Sequence, residues 1–406
     1  MNTLKRSLGV ALWFMFLTFP IMVIRVNTLK NEVTWRWWNL LWVGLASFLL
    51  SIVWRYALEA RNRRAKSSEQ GDGQETRPNI AQRLLDEPAL YRPVLLAVAL
   101  AAAIFPWLVS TYQIDIMVLA LIYVVLGLGL NITVGLAGLL DLGYVAFFAV
   151  GAYTFGLLNH FFGLGFWTCL PIGGLVGMIF GILLGFPILR LRGDYLAIVT
   201  LGFGSITQIV IMNWEDLTNG AKGIPKIPHP GFFGMHMDLE AATTYTYYLM
   251  IALVLLTIFV TNRLKDSRIG RAWMALREDE IACVAMGIDM ARTKLSAYAL
   301  GAFWAGLVGV IFAARNTYIN PASFDFMTSA IVLSMVVLGG MGSILGVIIA
   351  ALVLMLAPEY LRAFSDYRML VFGAALVLMM IFRPEGLIAN RRREYTYHLA
   401  KEAEDE

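Results

Sequence analysis

Apolar runs of about 17 to 23 residues recur along this chain, the length at which an α-helix crosses roughly 30 Å of hydrocarbon. Twelve spans can be marked, two of them shorter than that (328–340 and 368–382), at residues 7–24, 37–54, 93–109, 115–134, 142–162, 167–189, 196–212, 245–262, 294–314, 328–340, 344–360 and 368–382. Hydrophobic residues make up 59% of the 406 and charged residues only 15%, more apolar surface than a soluble core of this size uses, so the excess must face lipid. The expected fold is therefore all-α: a polytopic transmembrane bundle of about twelve spans. Lys5 and Arg6 ahead of the first run resemble a signal-peptide start, but Pro20, Arg25 and Asn27 leave no small-x-small cleavage pattern, and the run reads as a true span.

Charge and composition divide the chain. Residues 1–54 form a two-helix membrane extension. Residues 55–92 are a linker rich in Arg, Glu, Gln, Ser and Gly, which cannot bury a core. The main bundle occupies 93–383, with a long loop at 263–294, and 384–406 are a charged tail. About 24 of the 32 Lys and Arg fall on the side that holds both ends of the chain, which by the positive-inside rule is the cytoplasm. The net charge of +4 thus reports loop orientation, not affinity for nucleic acid. On the opposite side the longest connector, 213–244, is rich in proline and glycine and reads as a compact surface loop.

Glycine interrupts several spans. Between Gly127 and Leu158, glycines that include Gly135 and Gly138 are mixed with Asn131, Thr133 and Asp141. Small residues let helices approach closely, and the same pattern lets a helix unwind around a transport path; both readings stand for these positions. The span at 196–212 looks short, with Thr200, Gly202 and Gly204 near its middle, and 328–340 is shorter still, running into Gly339 and Gly340. Short, glycine-broken segments are expected around a midplane site. Asn131, Thr133, Gly135, Gly138, Thr200, Gly202, Gly204, Gly339 and Gly340 are the candidate path residues. Asp141 and Asp194, near span boundaries, read as caps or arginine partners rather than proton carriers.

The loop at 263–294 is too long for a simple connector and has a helical pattern without turn residues between Arg271 and Met286. One helix is expected over 272–287, with Ala275, Leu276, Ile281, Ala282, Ala285 and Met286 as small and apolar contacts, Arg277, Glu278, Asp279 and Glu280 as a charged turn, and Gly287 as its stop. Such a helix can lie in the lipid interface or dock into a partner; small residues and an acidic turn are poor membrane anchors and favour docking.

The segment ALREDEIACVAMGI resembles the coupling-loop motif of ABC importer permeases, with Gly287 about nine residues after Glu278. RLRGDYLAIVTLGFG from Arg190, TNGAKGI from Thr218, VVLGGMGSILG from Val336 and RPEGLIA from Arg383 resemble signatures of the branched-chain amino-acid permease family. The likeness covers roughly residues 91–387, and the opening helix pair with its linker is similar to the extension of the larger, M-type permease of the leucine/isoleucine/valine system. The resemblance implies a heterodimer with a second permease subunit, two ATP-binding cassette ATPase subunits, a periplasmic substrate-binding protein and a bacterial inner-membrane location. It also implies that the coupling helix, through Ala275, Arg277, Glu278, Asp279, Ala282, Ala285, Met286 and Gly287, sits in a groove on the ATPase.

Other chemistry finds no footing. No GxxxxGK[ST] occurs, so ATP and Mg would be bound by the partner ATPases, and this chain is expected to need no cofactor and to be no enzyme. His160, His229, His236 and His398 have no metal-ligand spacing, and Cys169 and Cys283 lie too far apart in the expected topology to bridge. Two rivals remain: an ion-coupled secondary transporter, which would need intramembrane carboxylates that are scarce here, and a permease of the same family for urea, amides or other amino acids.

Overall fold

The structure is a computed structural model; it describes residues 24–27, 32–35, 102–189, 191, 193–231, 238–360, 373, 377 and 386–388. The chain divides into two units, residues 1–95 and 96–406. In the first, β1 (Ile24–Asn27) pairs antiparallel with β2 (Glu32–Trp35), Ile24 opposite Trp35 and Asn27 opposite Glu32. This hairpin falls in the link between the two opening apolar runs and is an element the hydropathy pattern did not call for. The spans expected at 7–24, 37–54 and 368–382 lie outside the described residues, apart from isolated positions, as does the 55–92 linker.

Among the described residues of the second unit the regular elements are helices joined by turns and loops, with one isolated backbone bridge. After a helical stretch at 102–108, α1 (Thr111–Leu130) runs into a π-helical turn (Asn131–Leu136). There follow α2 (Val145–Phe162), α3 (Phe166–Ile188), α4 (Asp194–Asn213), the single turn α5 (Glu215–Thr218), α6 (Leu239–Lys265), α7 (Arg268–Glu278), α8 (Glu280–Ala285), α9 (Met290–Asn316), α10 (Phe326–Gly339) and α11 (Ile344–Tyr360). Among the described residues seven stretches are long and apolar enough to cross a membrane: Thr111–Leu136, Val145–Phe162, Phe166–Pro187, Asp194–Asn213, Glu240–Lys265, Met290–Asn316 and Pro321–Gly339. α11 is a shorter apolar helix.

α9 is the central post. Its apolar window is 83% buried, against 22% for α4, so α9 packs on protein nearly all round while α4 is peripheral. The packing is glycine-made. A Cβ on Gly306 would overlap the Gly173 carbonyl oxygen and lie 3.2 Å from the Cα of Gly177, and a Cβ on Gly151 would overlap the Gly306 carbonyl. α2, α3 and α9 therefore meet almost backbone to backbone, the arrangement small residues permit where lipid supplies no hydrophobic drive. A Cβ on Gly129 of α1 would overlap the Tyr144 hydroxyl and lie 3.1 Å from the Trp304 Cβ and 3.3 Å from the Gly301 carbonyl oxygen. The close-packing reading thus holds for Gly129 and Gly151.

The span boundaries differ from expectation in one instructive place. α4 is a continuous helix of 20 residues through Gly202 and Gly204, so the expected break there does not occur. α10, by contrast, is only 14 residues long, about 21 Å at the α-helical rise, and does end at Gly339. Gly340 (φ +102°) and Gly342 (φ +84°) then turn the chain into α11, and Gly339 and Gly346 touch where the two helices cross.

The bundle has two recognisable ends. At one, Thr111 donates to Glu240, Arg315 forms a two-point ion pair with Asp115 (2.9 and 2.7 Å), Tyr112 bonds Glu359, and Ile224 and Ile319 exchange backbone hydrogen bonds. The TNGAKGI segment is built into this end, its Gly223 (φ +71°) packed on Ile319. The other end holds the π-turn, α7, α8, the start of α9 and the Gly340–Gly342 reversal.

Candidate functional site

The long loop folds locally by competition between one aspartate and the helix. Instead of the single helix expected over 272–287, the chain forms α7 and α8, broken at Asp279, whose backbone is extended (φ −155°, ψ 112°). Its Oδ1 accepts from the amides of Ile281 (2.7 Å) and Ala282 (3.1 Å), an N-cap that starts α8 afresh. α8 stops where expected. Gly287 (φ +79°) donates to the Val284 carbonyl and Ile288 to that of Cys283, the Schellman arrangement in which a left-handed glycine closes a helix.

The inner face of this loop is bolted to the bundle. Trp273 is fully buried, and its Nε1 donates to the Thr293 carbonyl (3.2 Å) and to Ser296 Oγ (3.0 Å) on α9. Lys294, also on α9 and 1% exposed, pairs with Glu280 (2.9 Å) and reaches the Leu191 carbonyl. Arg277 extends to the π-turn, where its Nη1 donates to the Gly135 carbonyl at 2.6 Å. Gly138 (φ +73°) makes room for that reach, since a Cβ there would sit 2.8 Å from the arginine Cγ.

The outer face is open. Ile281 (69% exposed), Val284 (55%) and Met286 (82%) project apolar side chains away from the bundle. Beside them a shallow groove of about 250 Å³ is lined by Ala275, Glu278, Asp279, Ala282, Cys283, Met286 and Ile288. Burial, and the carboxylates of Asp279 and Glu280, push the Cys283 thiol up. The sequence-selected residues Ala275, Glu278, Asp279, Ala282 and Met286 meet in this groove; Ala285 and Gly287 are exposed on the same short helix and its stop, and Arg277 points inward. Trp273 and Lys294, which fasten the loop, were not singled out from the sequence. Their signals were a tryptophan inside a charged stretch and a lysine at the entry to an apolar span.

The candidate path residues separate into groups. Asn131, Thr133 and Gly135 are buried in the π-turn. Thr133 bonds the Leu130 carbonyl, and Asn131 Oδ1 accepts from the Gly342 amide at 2.8 Å, which brings the π-turn against the Gly339–Gly342 region. Thr200 Oγ1 accepts from the Leu142 amide, and Gly204 abuts Gly143, so these two support the loop that follows the π-turn. Gly202 meets nothing within 4 Å and stays apart from the others. Asp141 is fully buried rather than interfacial and does not cap a helix: its Oδ1 accepts from the Gly143 amide at 2.9 Å in an Asx turn ahead of α2, whose N-terminus has no side-chain cap. Among the described residues no group of His, Cys, Asp and Glu is arranged to hold a metal.

A bundle of membrane-length helices, with one long connector fastened inside and open outside, is the build of a multi-pass membrane permease. A family model described as branched-chain amino acid transport system / permease component matches residues 112–380, and the chain belongs to that family. It is 50% identical over 318 residues (73% of this chain, 75% of the relative) to the high-affinity branched-chain amino acid transport system permease protein LivM of Escherichia coli K12. The corresponding LivH protein of the same organism is 25% identical over 284 residues, 66% of this chain and 91% of the relative. The probable branched-chain amino acid transport permease protein LivM of Methanocaldococcus jannaschii is 22% identical over 318 residues, 66% and 91% of the two chains. No solved structure matches.

Proposed function

We propose that this chain is the larger, M-type permease subunit of an ATP-driven importer for leucine, isoleucine and valine. The observation that carries the reading is the 50% identity to LivM over three quarters of that protein's length. The 25% identity to LivH supports a heterodimer of two related permeases. The exposed groove and apolar patch on α7 and α8 support docking of an ATPase, one on each permease, and a periplasmic binding protein delivers substrate to the opposite end. ATP and Mg belong to the ATPases, since this sequence has no phosphate-binding loop. The chain itself is non-catalytic. It sits in the inner membrane with both termini and the α7–α8 loop in the cytoplasm, as the distribution of Lys and Arg favours.

In this reading ATP binding draws the two ATPases together, they move α7 and α8, and the bundle exposes its path alternately to the two sides. The test is radiolabelled leucine uptake by the whole complex in vesicles, competed with isoleucine, valine, phenylalanine and urea. Uptake that requires ATP and yields to isoleucine and valine is the expected result. Uptake driven by an ion gradient without ATP points to a secondary transporter, and strong competition by urea to another member of the family.

A further inference from the structure

The loop that α7 and α8 form has a receiver inside the bundle. Arg277 grips the π-turn at the Gly135 carbonyl. Four residues earlier in that turn, fully buried Asn131 holds the Gly342 amide on the far side. The turn is tight around this arrangement, because a Cβ on Gly135 would overlap Asn131 Oδ1. Gly342 belongs to the left-handed reversal between α10 and α11. The same reversal is held from below by the RPEGLIA segment, where Leu387 and Ile388 donate to the Leu338 and Gly339 carbonyls and Gly386 packs on Gly340. One side chain therefore connects the arginine of the docking loop to the broken helix pair.

Two further observations suit a moving part. A π-turn carries one residue more per turn than an α-helix and is a recurrent device at functional sites; resetting it to α geometry would shift the Gly135 carbonyl by about 1.5 Å. Asn131 Nδ2 is buried with no hydrogen-bond partner, which leaves a donor free for a second arrangement.

The geometry points to the π-turn Asn131–Leu136 as the joint that passes motion of the α7–α8 loop to the α10–α11 reversal, with Asn131 as its positioning residue. This rests on the docking reading above. Packed interiors switch between discrete arrangements, so a shift at Gly135 is transmitted whole rather than absorbed.

The test uses the complete complex in vesicles and reads amino acid moved per ATP hydrolysed, together with the ATPase that co-purifies. Asn131→Leu and Arg277→Met should each retain the ATPase and lower the ratio by at least about tenfold. The double variant should be no worse than the worse single, because both act along one route. Asn131→Ser, which no longer reaches Gly342 and adds no bulk, is read in the same way and serves if Asn131→Leu does not accumulate. An unchanged ratio in the Asn131 variants, or losses that multiply in the double, would overturn the joint while leaving docking intact. Wild-type chain that carries no ATPase would overturn the docking reading, and the joint with it.

Discussion

Glu278→Lys combined with Ala282→Trp should reduce uptake at least a hundredfold, to about background, while the chain still inserts and folds. Both residues are exposed and line the outer groove, and neither takes part in the Trp273, Lys294 or Arg277 contacts that fasten the loop. The contacts that fasten the loop to the bundle are therefore left in place. A docking partner meets the change: tryptophan fills the groove where alanine left it open, and lysine reverses the charge on its rim. Buried centres of such interfaces carry most of the binding energy, and an unmatched charge there costs more than the contact it replaced. The measurement is leucine uptake alongside the amount of folded chain recovered from membranes. Near-normal uptake with normal insertion would remove the docking role from this face.

Gly306→Val acts by the opposite route. The branched side chain must enter the space held by the Gly173 carbonyl and Gly177, with Gly151 pressed on the other side of the same residue, so relief requires that α9 part from both α2 and α3. Overpacking of a tight core costs about 3 kcal/mol at its upper usual range, and here backbone rather than a flexible side chain has to yield. The expected result is severe loss of folded protein in the membrane and a lowered thermal midpoint in detergent. Gly202→Ala serves as the control, since nothing lies within 4 Å of that position, and it should accumulate like the parent. Equal recovery of Gly306→Val and Gly202→Ala would contradict the three-helix glycine contact.

These contrasts mark what the sequence disclosed and what it withheld. Hydropathy located the seven membrane-length helices among the described residues because lipid imposes a length and an apolar composition on each of them. It did not separate the glycines. Gly306, Gly202 and Gly339 look alike in a string, yet one makes a backbone contact, one faces open space and one ends a helix; only the neighbours decide. In the same way α4 looked broken because two glycines interrupt it, but a helix tolerates them where its hydrogen bonds stay intact.

The α7–α8 loop shows the same division. Its existence, its glycine stop and its exposed residues were legible from length, period and charge. Its break was not, since Asp279 reads equally as a member of a charged turn and as a cap, and the outcome depends on two local hydrogen bonds. The fastening residues were hidden for a further reason. A buried lysine is recognisable only once its carboxylate partner is known to face it, and Glu280 lies fourteen residues away on another helix. The link from Asn131 to Gly342 spans 211 positions and leaves no local trace at all.

The central claim is that the outer face of α7 and α8 is gripped by an ATPase. Met286 offers the most direct test, being 82% exposed beside the groove. With Met286→Cys in the assembled complex, a short thiol crosslinker should join this chain to the ATPase, and the product should vanish when the ATPase is stripped from the membranes. Labelling of that cysteine only by a lipid-dissolved reagent, or only from the outer side of the membrane, would contradict the account.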